Sequence, residues 1–137
     1  MRDMDKALGD GGMPLLGQLG VDFQRYGEGW VEAVWTPTES ACNPVGGVHG
    51  GVYAVVHDAA MNFATNSALQ KGESGATISI TYSTVRGAKA GEALSVRGEV
   101  IRLARQIAYL QTTVTNADGE IVSTASGTFI LRRRAAE

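Results

Sequence analysis

Residues 43–69 read NPVGGVHGGVYAVVHDAAMNFATNSAL, and a change of pattern inside this stretch decides the fold. Its first nine residues carry loop chemistry: Asn43-Pro44 initiates a turn, and Gly46, Gly47, Gly50 and Gly51 open backbone geometries closed to other residues. From Val52 onward neither Pro nor Gly appears until Gly72, while Ala54, Val55, Val56, Ala59, Ala60, Met61, Phe63, Ala64, Ala68 and Leu69 fall on nearly every helical face. The spacing predicts one helix over 49–69, too long for a strand and too apolar all round for a surface helix, so it is expected to be buried. Lys71-Gly72-Glu73 stops it.

Both flanks read as sheet. Upstream, Leu15, Leu16 and Leu19 have the spacing of a short helix over 13–20 ended by Gly20, and alternating segments at 21–26 and 30–36 enclose the turn Gly27-Glu28-Gly29. Downstream, 76–85 alternates with Ile78, Ile80 and Tyr82 on one face, followed by strands over 93–103, 107–115 and 121–131. Turns at Lys89-Ala90-Gly91-Glu92 and Asn116-Ala117-Asp118-Gly119 separate them. Six strands are expected, the last four in an uninterrupted antiparallel run after one central helix. This is an α+β organisation in one domain over 1–137, with 1–12 as a flexible N-terminus and 132–137 as a tail.

Composition narrows the function classes. Twelve Lys plus Arg against fourteen Asp plus Glu leave no basic field for a nucleic-acid backbone, so nucleic-acid binding is not expected. One cysteine, Cys42, and two histidines are too few for an internal disulfide or the usual Cys/His zinc clusters, which fits a reducing, cytoplasmic setting without a metal. No signal-peptide-length apolar run opens the chain, and charged residues interrupt every stretch that would have to span a bilayer. Neither a secretory leader nor membrane insertion is expected.

Within the apolar helix, Asp58 is the only acidic residue between Glu39 and Glu73. A carboxylate buried without partners costs several kcal/mol, roughly, or takes up a proton; Asp58 therefore either faces solvent or a polar neighbour, or does chemistry. Asn62 follows one turn later on the same face, where the pair is placed to position a water or a substrate carbonyl. The glycine-rich loop runs into the helix N-terminus, whose unpaired N–H groups favour developing negative charge. It reads as an oxyanion site that a substrate can approach closely, or as a plain loop with His49 starting the helix. The Walker spacing of a phosphate-cradling loop is absent. Gly50 and Asp58 are eight residues apart, about 12 Å of helical rise, so one chain cannot close both on one carbon atom. A two-fold dimer with antiparallel helices brings Gly50 of one protomer to Asp58 of the other.

The run Asn43-Pro44-x-Gly46-x-x-His49-Gly50-Gly51, with Asp58 seven residues on and an antiparallel half ending in Ser126-Gly127-Thr128-Phe129, resembles the hotdog-fold acyl-CoA thioesterases. It is most similar to the branch containing phenylacetyl-CoA thioesterases and one type of 4-hydroxybenzoyl-CoA thioesterase, over about residues 15–131. The resemblance implies an antiparallel sheet wrapped around one long helix. It implies hydrolysis of an acyl- or aryl-CoA to the free acid and CoA, without a metal or redox cofactor. Asp58 would be the nucleophile or the general base, and the Gly50 N–H would polarise the thioester carbonyl. His49 and Asn43 would orient the site, and Asn62 would help hold the attacking water. Gly51, Tyr53, Arg86 and Arg105 would contribute to substrate and CoA binding, with Val52 and Tyr53 near the acyl group. Carboxylate and oxyanion donor would come from different protomers of a homodimer, by analogy within a dimer of dimers.

Three positions depart from the resemblance: relatives often carry a hydroxyl residue at Asn62, a small or apolar residue at His57, and proline in place of Gly87. His57 points about 100° away from Asp58 and reads as a packing residue. Cys42 lacks the surroundings of an activated thiol and reads as structural. Arg132-Arg133-Arg134 reads as a solubilising tail. Two other functions stand beside hydrolysis: a hydratase or dehydratase pairing His49 or His57 with Asp58, and a non-catalytic acyl or aromatic binding module. Retention of Asp58 speaks against the last.

Overall fold

A computed structural model describes residues 2–134. Pro14–Leu19 forms α1, with proline in its first turn. Gly20 caps the helix in the left-handed conformation, φ 91°, where a side chain would collide with the Thr36 carbonyl. The hairpin follows as β1 (Val21–Gly27) and β2 (Trp30–Trp35), and the long helix α2 runs Gly50–Ser67. β3 (Ser74–Thr84), β4 (Leu94–Leu103), β5 (Ile107–Thr115) and β6 (Ile121–Arg132) complete one six-stranded antiparallel sheet in the order β1-β2-β4-β5-β6-β3.

The order corrects the run expected from chain sequence. β4, β5 and β6 do form a meander, but β3 sits at the far edge against β6, and β4 returns to pair with β2. The reason lies in the 85–93 connection, which is tied to the loop before α2 and cannot close a tight hairpin: Val48 N–H donates to Ala88 O, Gly91 N–H donates to Pro37 O, and Gly47 bridges Lys89. α2 thus carries the chain from β2 across the sheet to its opposite edge.

The core lies between α2 and one sheet face. Val56, Ala60, Met61 and Ala64 meet Val31, Trp35, Leu94, Leu110, Val114, Val122 and Phe129, all buried. At Gly98 the helix comes so close that an added Cβ would stand 3.0 Å from the Ala60 carbonyl oxygen. The opposite stripe of α2, through Val55, Asp58, Ala59, Asn62 and Asn66, is only half-buried, so the helix is not enclosed on all sides as its apolar composition implies. Among the described residues no helix is long and apolar enough to cross a membrane.

Residues 2–12, read above as a flexible N-terminus, lie along this stripe. Gly9 bridges Phe23, the Met4 N–H donates to Tyr26 Oη at 2.7 Å, and the Arg2 guanidinium donates to the Gln70 carbonyl at 3.0 Å and to the Glu73 carbonyl. A cation at the C-terminal end of α2 is also favoured by the helix dipole. Of the C-terminal tail, Arg134 N–H donates to Glu73 Oε2 at 2.9 Å and Arg133 lies 3.9 Å from the same carboxylate; residues 135–137 are outside the described residues.

Candidate active site

A cavity of about 350 Å³ runs along the half-buried stripe of α2. Asp58 and Asn62 line it together, as their four-residue spacing predicts, beside the apolar Val55, Ala59, Phe63 and Phe23. The N-terminal segment supplies the opposite wall through Met4, Ala7 and Met13. Thr77 of β3 donates its hydroxyl proton to Asp58 Oδ1 at 2.5 Å, which fixes the carboxylate and leaves Oδ2 without a hydrogen-bond donor among the described residues.

Thr77 was not legible as a site residue, and the reason is a bulge. Strict alternation turns Ile78, Ile80 and Tyr82 to one face, with Thr77 opposite. Pairing with β6 slips between Thr77 and Ser79, and Ile78 is turned outward at 53% exposure while Thr77 reaches the helix.

The loop before α2 is built by the residues that the sequence marks. Asn43 Oδ1 accepts from the N–H groups of Val45 (3.1 Å) and Gly47 (3.2 Å), and Gly46 N–H donates to Asn43 O. His49 is the helix N-cap: its Nδ1 accepts from the Gly51 N–H at 3.0 Å, which places the proton of the neutral ring on Nε2. Val52 N–H donates to His49 O, and Tyr82 Oη donates to Gly50 O at 3.1 Å. The Gly50 N–H is left without an acceptor among the described residues, on an exposed first turn with open space around its Cα. Asn43 and His49 therefore act through the backbone they hold, and the Gly51 N–H is consumed by the cap.

Neither histidine reaches Asp58. His57 is fully buried on the sheet side. Ser123 Oγ donates to Ser83 O, so it accepts from His57 Nε2–H at 2.8 Å, and Nδ1 accepts from the Thr112 hydroxyl at 3.0 Å. Burial pushes its pKa down to about 4, so the ring is neutral. Within one chain neither histidine is thus paired with Asp58, and His57 packs in the core.

Residues 45–123, more than half of the chain, match the family model for the thioesterase superfamily. The chain belongs to that superfamily. Its fold is shared with a thioesterase of Haemophilus influenzae (TM-score 0.80, 22% identity, 87% of this chain and 82% of that one). It is also similar to a phenylacetic acid degradation-related protein of Ralstonia eutropha (TM-score 0.77, 28% identity, 85% and 89%). A thioesterase protein of Streptococcus pneumoniae solved with coenzyme A matches at TM-score 0.77, 21% identity, 85% and 88%.

Within this hotdog thioesterase fold, the three substrate-binding candidates Tyr53, Arg86 and Arg105 lie in separate places. Tyr53 is buried against Trp35, ring centroids 5.4 Å apart, and does not line the Asp58 cavity; the core takes it because its helical face points at the sheet. Burial pushes its phenol up. Arg86 is paired with Glu120 at 2.9 Å beside the start of β6, where its N–H donates to Val122 O. Arg105 sits in the turn between β4 and β5, beside the far end of β6, where Leu131 N–H donates to Gln106 O. Nine residue steps along β6, from Val122 to Leu131, separate those two ends, about 30 Å, so one protomer does not direct both arginines at one diphosphate. Cys42 lies in the loop, bridged to Val48, as a structural residue.

Proposed function

We propose that this protein hydrolyses the thioester of an acyl- or aryl-CoA, giving the free acid and CoA. One observation carries the reading: a carboxylate held by a neighbouring hydroxyl, Thr77 to Asp58 at 2.5 Å, lines a cavity walled by apolar side chains and amides in a chain of the thioesterase superfamily. Asp58 Oδ2 takes a proton from water as the water oxygen attacks the thioester carbon, or attacks that carbon itself. Collapse of the tetrahedral intermediate breaks the C–S bond. In the first route the thiolate takes the proton from Asp58 and leaves as CoA with the acid formed. In the second CoA leaves, the acyl group stays on Asp58 as a mixed anhydride, and water then hydrolyses it to the free acid and restores the carboxylate. The carbonyl oxygen gains negative charge in the first step, and an unpaired backbone N–H at a helix N-terminus is suited to receive it.

That donor is the partner's Gly50 in our reading, because helical rise keeps Gly50 and Asp58 of one chain about 12 Å apart. β3 supports a partner: it is an edge strand of eleven residues, exposed along nearly its whole length, of the kind that monomers normally cover or interrupt. The homodimer is thus part of the mechanism, and a dimer of dimers extends it. Arg86 from one protomer and Arg105 from the other are the cations proposed for the CoA phosphates. No resident metal or redox group enters the reaction, since CoA is part of the substrate.

The acyl group occupies the cavity between Phe63, Phe23 and the N-terminal segment, whose aromatic and apolar lining suits a flat ring or a short chain. The likeness to the Ralstonia protein supports the aryl class. Thiol release from a panel of short-chain, long-chain, phenylacetyl and hydroxybenzoyl CoA esters tests the reading with wild type beside Asp58→Ala. Turnover of one ester that falls at least ~100-fold in the variant is the expected outcome. Absence of release from every ester overturns hydrolysis and leaves the hydratase and binding-module readings.

A further inference from the structure

The sequence gives Asn62 an undirected amide; the structure gives it a polarity. Asn66, one turn further along α2, donates its Nδ2 protons to the Asn62 backbone carbonyl at 3.0 Å and to Asn62 Oδ1 at 2.7 Å. The orientation of the Asn66 amide is fixed from both sides. A backbone carbonyl only accepts, so the atom facing it is nitrogen. A guanidinium only donates, so the atom facing Arg2 Nη1, at 3.4 Å, is oxygen. Asn62 must then present its own oxygen to Asn66, and its Nδ2 is the free end of the amide in the cavity that Asp58 lines.

We propose that Asn66, held by Arg2, is a positioning residue that fixes Asn62 as a hydrogen-bond donor toward the reacting centre. A water or tetrahedral oxygen beside Asp58 is an acceptor for that N–H, whereas an amide free to rotate would spend part of its time presenting a second oxygen next to the carboxylate. Arg2 reaches this relay only because the N-terminal segment lies over the C-terminal end of α2, through the Gln70 and Glu73 carbonyls. Residues outside the loop and helix motif thereby set the polarity of a residue inside it. The kinetic part of this inference rests on the thioesterase reading; the amide orientation does not.

Asn66→Asp is the decisive variant. It keeps size and strengthens the contact with Arg2, yet offers Asn62 only acceptor oxygens, which turns the Asn62 amide over. The expected result is a fall of about 10-fold or more in kcat with KM within about twofold, a smaller loss in Asn66→Ala, and no further loss when Asn66→Asp is added to Asn62→Ala. Independent multiplication of the two losses, or wild-type kcat in Asn66→Asp, overturns the relay. Hydrogen exchange of the 15N-labelled side-chain amides reads the orientation without turnover. In wild type the Asn66 Nδ2 protons are the slowly exchanging pair and those of Asn62 the fast pair, and Asn66→Asp slows Asn62. The reverse wild-type pattern overturns the relay. If the wild type releases no thiol while this exchange pattern holds, the hydrolase reading fails and the relay stands.

Discussion

Thr77 Oγ1 donates to Asp58 Oδ1 at 2.5 Å, joining the edge strand of the sheet to the middle of the central helix. One carboxylate oxygen is occupied, so the hydroxyl fixes the rotamer with which Asp58 lines the cavity. Thr77→Val keeps the shape and removes the proton. We expect kcat to fall about 10- to 100-fold, in the range of a lost positioning contact to a general base, with KM little changed. Thr77→Ser restores most of the rate, which a purely packing role for the threonine methyl would not allow. Steady-state kinetics on the best ester of the panel checks both.

The sequence made the central helix, the turn-bounded strands and the glycine loop legible because each rests on local pattern: apolar periodicity, turn residues, capping chemistry. Asp58 with Asn62 was legible from helical spacing alone. What could not be read depends on breaks in pattern or on partners distant along the chain. Thr77 reaches Asp58 only because a bulge at Ile78 reverses the alternation of β3. β3 moved from beside β4 to beside β6 because loop contacts around Ala88 bind the connection. Arg2 and Asn66 are 64 residues apart and no local rule joins them. The resemblance put Tyr53 near the acyl group, and helical phase buries it in the core.

His57 makes stability depend on pH. Burial lowers its pKa from 6.5 to about 4, so between those values the unfolded chain holds a proton that the folded chain does not. Its contribution is complete above pH 6.5 and is lost as pH falls through the window, the loss amounting to about 3 kcal/mol near pH 4. Glu73, held below the usual carboxylate range by the backbone N–H groups of Gln70 and Arg134, acts only at more acidic pH. Urea unfolding at pH 7.5, 5.5 and 4.5 should show the decline, and His57→Leu should flatten its upper part.

Packing of α2 on the sheet needs Gly98. A Cβ there stands 3.0 Å from the Ala60 carbonyl and 3.1 Å from the Thr112 methyl, and the first of these is backbone that cannot rotate away. Gly98→Val therefore pushes the helix off β4 and is expected to cost about 1–3 kcal/mol, the usual range for overpacking. The shift also moves Asp58 relative to Thr77, so activity should fall further than the unfolded fraction explains. Denaturant midpoints and kcat measured on the same sample separate the two effects.

The shared site makes the sharpest prediction, because one substitution removes the proposed oxyanion donor and little else. Gly50 is the first residue of α2, has no positive φ, and has open space where a side chain would go. Proline suits that position, and it requires an extended residue before it, which His49 already is at φ −62° and ψ 132°. Gly50→Pro should fold normally and lose most of its turnover, as should Asp58→Asn. If each site takes Asp58 from one protomer and the Gly50 N–H from the other, a heterodimer of the two variants contains one site with both groups intact and one with neither. Random reassociation makes half of the dimers mixed, so activity should return to about a quarter of wild type in an equimolar mixture. A site contained within one chain gives no recovery at any mixing ratio.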